Sequence, residues 1–323
     1  FIKLMIKIIL FILATLISYT AFADFTFIVP QKPGGGTDMW TRLIASELEK
    51  KLGEKILIKN IPGINDMPGF NKFHNELQHN DKTVMVAHGG NAESFLVQDV
   101  DYNYFKYDPI ALQNLTIMVG KRFNGKSKVK MSAGSGINPD AMAVTLMICG
   151  NMSLKNYKKC FDNNIIYVKG MGKSERRLAY VRGELNTTRE NPLAFKKHAT
   201  KTKENIIWFS HGVLNLNTKQ IVDDPNHPNL SFTQVYEKTW NQQPTGEFFQ
   251  AYLLVKSYRD ALQKSMWIKK DSQHTTTLRK AFRNMLNDQA SLAKIQKKTG
   301  QYEFIVGNDV KTVLQVLGNL KSE

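Results

Sequence analysis

The chain has 323 residues, is 42% hydrophobic and 10% aromatic, and carries a formal net charge of +16. That length and apolar content supply real cores and exclude a disordered or fibrous class. The basic excess is spread thinly, in short runs such as Lys50-Lys51, Lys196-Lys197 and Lys269-Lys270. This pattern argues against a nucleic-acid partner and for a surface that attracts small anions.

The first segment reads as an export leader. Lys3 and Lys7 precede the apolar run Ile8 to Ile17, and Ala21-Phe22-Ala23 closes it in the A-x-A manner. The run is shorter than the roughly 20 residues a membrane span requires. Cleavage near Ala23-Asp24 predicts a periplasmic location for a soluble, monomeric remainder.

After the leader, Phe25 to Val29 reads as a strand, broken by Pro30 to Gly36. A helix follows from Asp38 to Leu52, with Trp40, Ile44 and Leu48 on one face, Thr37 as its N-cap and Gly53 as its stop. The strand Lys55 to Lys59, a Pro/Gly-rich loop from Asn60 to Gly69, a helix from Asn71 to Gln78 and the strand Thr83 to Ala87 come next. The alternation predicts a parallel, doubly wound α/β sheet.

A second run has the same grammar. It comprises strands Leu115 to Val119, Lys128 to Ser132 and Ile165 to Val168, with helices Pro139 to Met147 and Ser174 to Arg182. Strands are expected at Ile206 to Phe209 and Phe249 to Val255, a loop at Asp223 to Asn229, and helices near Thr277 to Lys297 and Val310 to Asn319.

Several of these strands end in glycine-containing loops: Gly34-Gly35-Gly36-Thr37, His88-Gly89-Gly90-Asn91, Gly134-Ser135-Gly136 and Gly170-Met171-Gly172. Ligands of open α/β sheets sit beyond the carboxyl ends of strands, and helix starts there offer unpaired N–H groups to an anion. Taken singly, each loop reads better as a plain tight turn, since isolated glycine signals are weak; together on one sheet edge they shift the balance toward a pocket. Trp40 and Phe70, beside these loops, read more naturally as core.

Sharper chemistry is missing. The Gly34 loop lacks the Lys-Ser/Thr ending of a P-loop, and Met39 stands where a dinucleotide fingerprint needs its last glycine. His74 and His79 are five apart and do not share a helix face, so no metal site is indicated. No nucleophile elbow or paired carboxylates appear. The expectation is a binding protein rather than an enzyme, with no cofactor. Cys149 and Cys160 suit a disulfide in an oxidising compartment; two buried free thiols are the alternative.

The run Phe27 to Asp38, with Arg42-Leu43-Ile44-Ala45 and Leu52-Gly53, resembles the start of the Bug family, the TctC-like substrate-binding proteins of tripartite tricarboxylate transporters. The likeness continues at Asn60-Ile61-Pro62-Gly63, Tyr107-Asp108-Pro109-Ile110, Ala133 to Gly136, Tyr167 to Gly172 and Gly183-Glu184. It departs at Asn65-Asp66, where that family usually has two glycines, and lacks the family's Ala-Pro-Gly-Thr-Pro around Val255 to Tyr258. The resemblance implies a two-domain, type II-like Venus-flytrap fold. Its domains would be residues 24–116 with 247–323, and 117–246. It implies capture of a small organic acid for membrane transporter subunits, with ligand contacts from Gly34, Gly35, Gly36, Thr37, His88, Gly89, Asn91, Ser135, Gly136, Gly170, Met171 and Gly172. A sensor that presents the bound acid to a signalling receptor is the alternative.

Overall fold

The computed structural model describes residues 24–63, 66–97, 99–123, 127–133, 138–202, 204–215, 218 and 220–314. The predicted leader lies outside them. Among the described residues, no helix is long and apolar enough to cross a membrane.

Strand β1 (Phe25–Val29) leads through the glycine loop into α1 (Gly36–Leu52). The N-cap is Gly35 rather than Thr37, so the helix begins inside the glycine run. Gly53 ends it in the left-handed conformation, φ 71°, with its N–H on Glu49 O. Trp40, Ile44 and Leu48 are buried as their spacing requires. Trp40 also donates its indole N–H to Gln113 Oε1 at 2.8 Å.

β2 (Ile56–Asn60), α2 (Met67–Asn75), β3 (Thr83–His88) and α3 (Gly89–Val97) follow. The α2 helix starts earlier than predicted because Pro68 pre-sets its first turn. β4 (Tyr107–Gln113) went unforeseen. Its Pro109 argues against a central strand, and a register shift opposite it, between Met266 and Trp267, accommodates the missing N–H.

The chain then leaves this sheet. β5 (Met118–Lys121), β6 (Val129–Ala133), α4 (Pro139–Cys149), α5 (Leu154–Asn164), β7 (Ile165–Lys169), α6 (Lys173–Arg182), β8 (Thr187–Glu190) and β9 (Ile206–Ser210) build a second lobe. β5 lies between β8 and β9, antiparallel to both, while β6 and β7 pair in parallel. Asn186 N–H to Lys130 O, 3.0 Å, joins the two parts. The ribbon β10 (Val213–Leu214) with β11 (Ile221–Val222) and helix α7 (Phe232–Trp240) precede the return.

Residues 249–255, expected as a strand, belong to helix α8 (Glu247–Ala261). The run is rich in aromatic and branched residues, which misleads. Phe248, Phe249 and Tyr252 share one face, a 3.6-residue signature, and pack in the second lobe's core, while Ala261 and Leu262 pack in the first. α8 therefore bridges the lobes. β12 (Lys264–Lys269) then inserts between β3 and β4, antiparallel to both. The predicted helix over 277–297 is two helices, α9 (Thr275–Asn287) and α10 (Gln289–Thr299), because Asp288 caps the second through Ala290 and Ser291 N–H. β13 (Phe304–Val306) completes a six-stranded sheet of order β13-β4-β12-β3-β1-β2. That sheet is mixed, not wholly parallel. Apolar clusters cover both its faces, and a third fills the second lobe. The last helix is described over 309–314, and its predicted remainder lies outside the described residues.

Cys149, ending α4, and Cys160, in α5, are bonded, with Cα atoms 6.4 Å apart. Closing this 11-residue separation restricts the unfolded chain by about 3 kcal/mol. The double replacement Cys149→Ser/Cys160→Ser is expected to lower the unfolding free energy read from denaturant melts by that amount, and reductant should then have no further effect.

Candidate functional site

The carboxyl ends of β1, β2 and β3 face the ends of β7 and β8 across a cleft of ≈ 710 Å³. Its rim is exposed, at Lys32, Pro62, Gly63, Lys169 and Gly170. Its floor is buried, at Thr37, His88, Asn191, Arg259 and Lys264.

The β1 loop lines the cleft through Gly35, Gly36 and Thr37; Gly34, at φ 78°, does not. The expectation of free amides here is corrected at three of the four positions from Gly34 to Thr37. Gly34 N–H donates to Asp38 Oδ2 (2.8 Å), Gly35 N–H to Lys32 O (3.1 Å) and Thr37 N–H to Gln31 Oε1 (3.3 Å). The chain satisfies its own loop with a buried carboxylate and a buried amide. Burial raises the Asp38 pKa, but bonds from Arg42, Gly34 and Asn60 outweigh that and leave it below its ordinary value. What stays open is Thr37 Oγ1, buried and unpartnered among the described residues. Gly36 serves another purpose: a Cβ there would lie 2.4 Å from Asn191 Nδ2 of the facing lobe. Glycine lets the two lobes touch at this point.

The second loop is divided too. His88 lines the cleft, whereas Gly89 and Asn91 stand behind it. A Cβ on Gly89 would meet Arg259 O at 2.3 Å, so Gly89 packs on α8. Asn91, fully buried, accepts from His88 N–H (3.2 Å) and donates to Asp66 O (3.0 Å). The His88 Nδ1 accepts Gly90 N–H at 2.9 Å, and Nε2 lies 2.6 Å from Asp66 Oδ2. This geometry assigns the neutral tautomer with the proton on Nε2. Burial, with Lys173 nearby, lowers its pKa to about 3 despite Asp66.

Opposite, Gly170, Met171 and Gly172 line the cleft, and Gly172 N–H is already taken by Glu175 Oε2 at 2.7 Å. Ser135 and Gly136 lie outside the described residues. His74, discounted as a metal ligand, bonds Tyr107 Oη through Nδ1 at 2.6 Å.

The charged residues of the cleft were not foreseen. Lys173, at the start of α6, reaches Asp66 Oδ2 at 3.1 Å across the gap. Burial raises the Asp66 pKa, yet Lys173 and His88 overcome this and hold it below the usual carboxylate range. Beneath the floor, buried Asp140 receives Arg189, Arg259 (2.7 Å) and His211 Nε2 (2.9 Å). Lys264 is buried against Gln263 O (2.8 Å), and that burial drives its pKa well below the ordinary lysine value. Arg177 is spent on Glu190, at 2.5 and 2.8 Å. Its neighbour Arg176 lines the cleft, and its guanidinium has no hydrogen bond or ion pair among the described residues. Burial, with Arg189 adding repulsion, lowers its pKa to about 10, so it stays cationic at neutral pH.

Glu93, on α3, also faces the cleft without a partner among the described residues, and burial raises its pKa to about 7. A raised folded-state value adds stability below the ordinary 4.5, and that stability is lost as pH rises through about 7. Glu93→Gln is expected to flatten the fall in melting temperature between about pH 5 and pH 8. An unchanged slope would show that Glu93 is solvated.

No family model and no curated protein matches the chain. Solved structures do. The periplasmic binding protein BugD matches at TM-score 0.64 and 14% identity, over 93% of this chain and 95% of that one. MatC from Rhodopseudomonas palustris, solved with bound malate, matches at 0.61 and 17%, over 93% and 98%. Another R. palustris protein, solved with adipate, matches at 0.63 and 12%, over 93% and 95%. The chain thus has the two-domain α/β fold of a periplasmic binding protein, similar to the Bug and TctC type.

Proposed function

We propose that the chain is an exported solute-binding protein that captures a small organic anion, a carboxylate, in the interlobe cleft and delivers it to a tripartite tricarboxylate-type membrane transporter. The observation that carries this reading is Arg176: a half-buried guanidinium lining the interlobe cleft with no protein acceptor among the described residues. A planar, permanently charged fork suits a carboxylate in two parallel bonds. Thr37 Oγ1, buried without a partner, adds a neutral donor. Malate and adipate in structural neighbours support the ligand class. We place the lobes at residues 24–116 with 247–323, of which 315–323 lie outside the described residues, and 117–246; α8, packed in both cores, is the element they share.

Gly35, Gly36, Thr37, His88, Gly170, Met171 and Gly172 form the wall around the anion. Native mass spectrometry of protein purified without refolding, followed by a thermal-shift series of organic acids, tests the reading. Stabilisation by acids is expected; stabilisation by sugars or metals alone would overturn it.

A further inference from the structure

The cleft already contains a carboxylate of its own. Asp66 sits at φ 61°, a conformation Asp tolerates, and its backbone is pinned by N–H to Gly63 O (3.2 Å) and by O to Asn91 Nδ2 (3.0 Å). Its Oδ2 receives donors from separate elements: Gln31 Nε2 at 3.2 Å, His88 Nε2 at 2.6 Å and Lys173 Nζ at 3.1 Å. These belong to the loop after β1, the end of β3 and the start of α6. They are a cation and two neutral N–H groups from both lobes, the donor set a captured carboxylate would receive. Gln31 is doubly committed, since its Oε1 also holds Thr37 N–H. Of the cations lining the cleft, Lys32 and Lys169 stand on its exposed rim; below the rim Lys173 is used on Asp66, Arg189 and Arg259 on Asp140, and Lys264 on Gln263. Arg176 remains for an incoming ligand.

We propose that Asp66 is a specificity-determining residue, a tethered carboxylate that fills one of two anion positions in the cleft, so that the native chain takes an organic acid with a single carboxylate, seated at Arg176. This rests on the anion-capture reading above and narrows it. A second carboxylate would have to displace Asp66 from His88 and Lys173, or lie beside it as a like charge in a partly buried space.

Calorimetry with butyrate and succinate, acids of equal chain length, tests the assignment on native protein, Asp66→Gly and Asp66→Asn. Glycine empties the position and accepts the backbone conformation; asparagine removes the charge but leaves the space filled. Native protein should prefer butyrate. Asp66→Gly should tighten succinate relative to butyrate by about tenfold or more, one recovered charge-assisted pair. Asp66→Asn should shift both acids by a similar factor. Asp66→Ser serves the same comparison if the glycine variant does not fold. Equal gains in the Gly and Asn variants, or native protein that already takes succinate as tightly as Asp66→Gly, would overturn the role of Asp66 alone. Silence of all the proteins toward every acid would overturn the capture reading itself.

Discussion

Arg176→Gln is expected to weaken carboxylate binding by about 10- to 100-fold, the worth of one charge-assisted pair formed in a partly buried site. The melting temperature of the unliganded protein should hold or rise. The Arg176 guanidinium has no acceptor among the described residues; its removal breaks no bond and relieves its burial and its repulsion with Arg189, against which stands the more distant attraction of Glu190, Asp140 and Asp66. Arg177→Gln supplies the contrast. That guanidinium holds Glu190 in a two-pronged pair, so its loss should lower stability before it touches affinity. Isothermal titration and thermal melts separate the two outcomes. Undiminished affinity in Arg176→Gln would move the anion elsewhere.

The largest loss of stability is expected at Asp140. Asp140→Ala removes the acceptor shared by Arg189, Arg259 and His211, and strands the buried Arg259 guanidinium and His211 N–H together with the half-buried Arg189. Breaking a buried pair in this way costs about 3–5 kcal/mol. Asp260 limits the damage only in part, since it already serves Arg259 at 2.8 Å and Lys256 at 3.5 Å. The sign with pH follows. Burial alone would raise the Asp140 pKa, but Arg189 and Arg259 drive it well below 3.8. Its contribution is therefore complete above the ordinary carboxylate value and disappears only as pH falls through the lowered one. Urea melts should show Asp140→Ala weaker than the native chain at neutral pH, with the gap closing only in strong acid. A loss below 1 kcal/mol would mean that the cations rearrange toward solvent.

How much of this was legible in the sequence differs by element. β1, α1, β2 and β3 announce themselves because strand and helix periodicities alternate cleanly and Gly53 marks a stop. The cleft's location was legible for the same reason, since glycine loops follow the strands. Its chemistry was not. The three occupied amides of the first loop depend on Gln31 and Asp38, whose side chains fold back in a way no spacing reveals. Asp66 and Lys173 are 107 positions apart and meet only because the lobes face each other. Arg176 and Arg177 are adjacent on one helix, yet one is paired and the other open, a distinction set by Glu190. The departure at Asn65-Asp66 was the one local sign that the pocket carries an unusual group. α8 misled because aromatic residues favour strands on average while their placement here serves a helix between two cores.

The close approach of Gly36 to Asn191 joins the lobes at one point, while Lys32 and Lys169 stand exposed on the outer lip of the gap. An anion approaching past these residues therefore meets positive charge first. Arrival should be hastened by long-range attraction and slowed by added salt, whereas departure is governed by the half-buried Arg176 guanidinium and should be less sensitive to ionic strength.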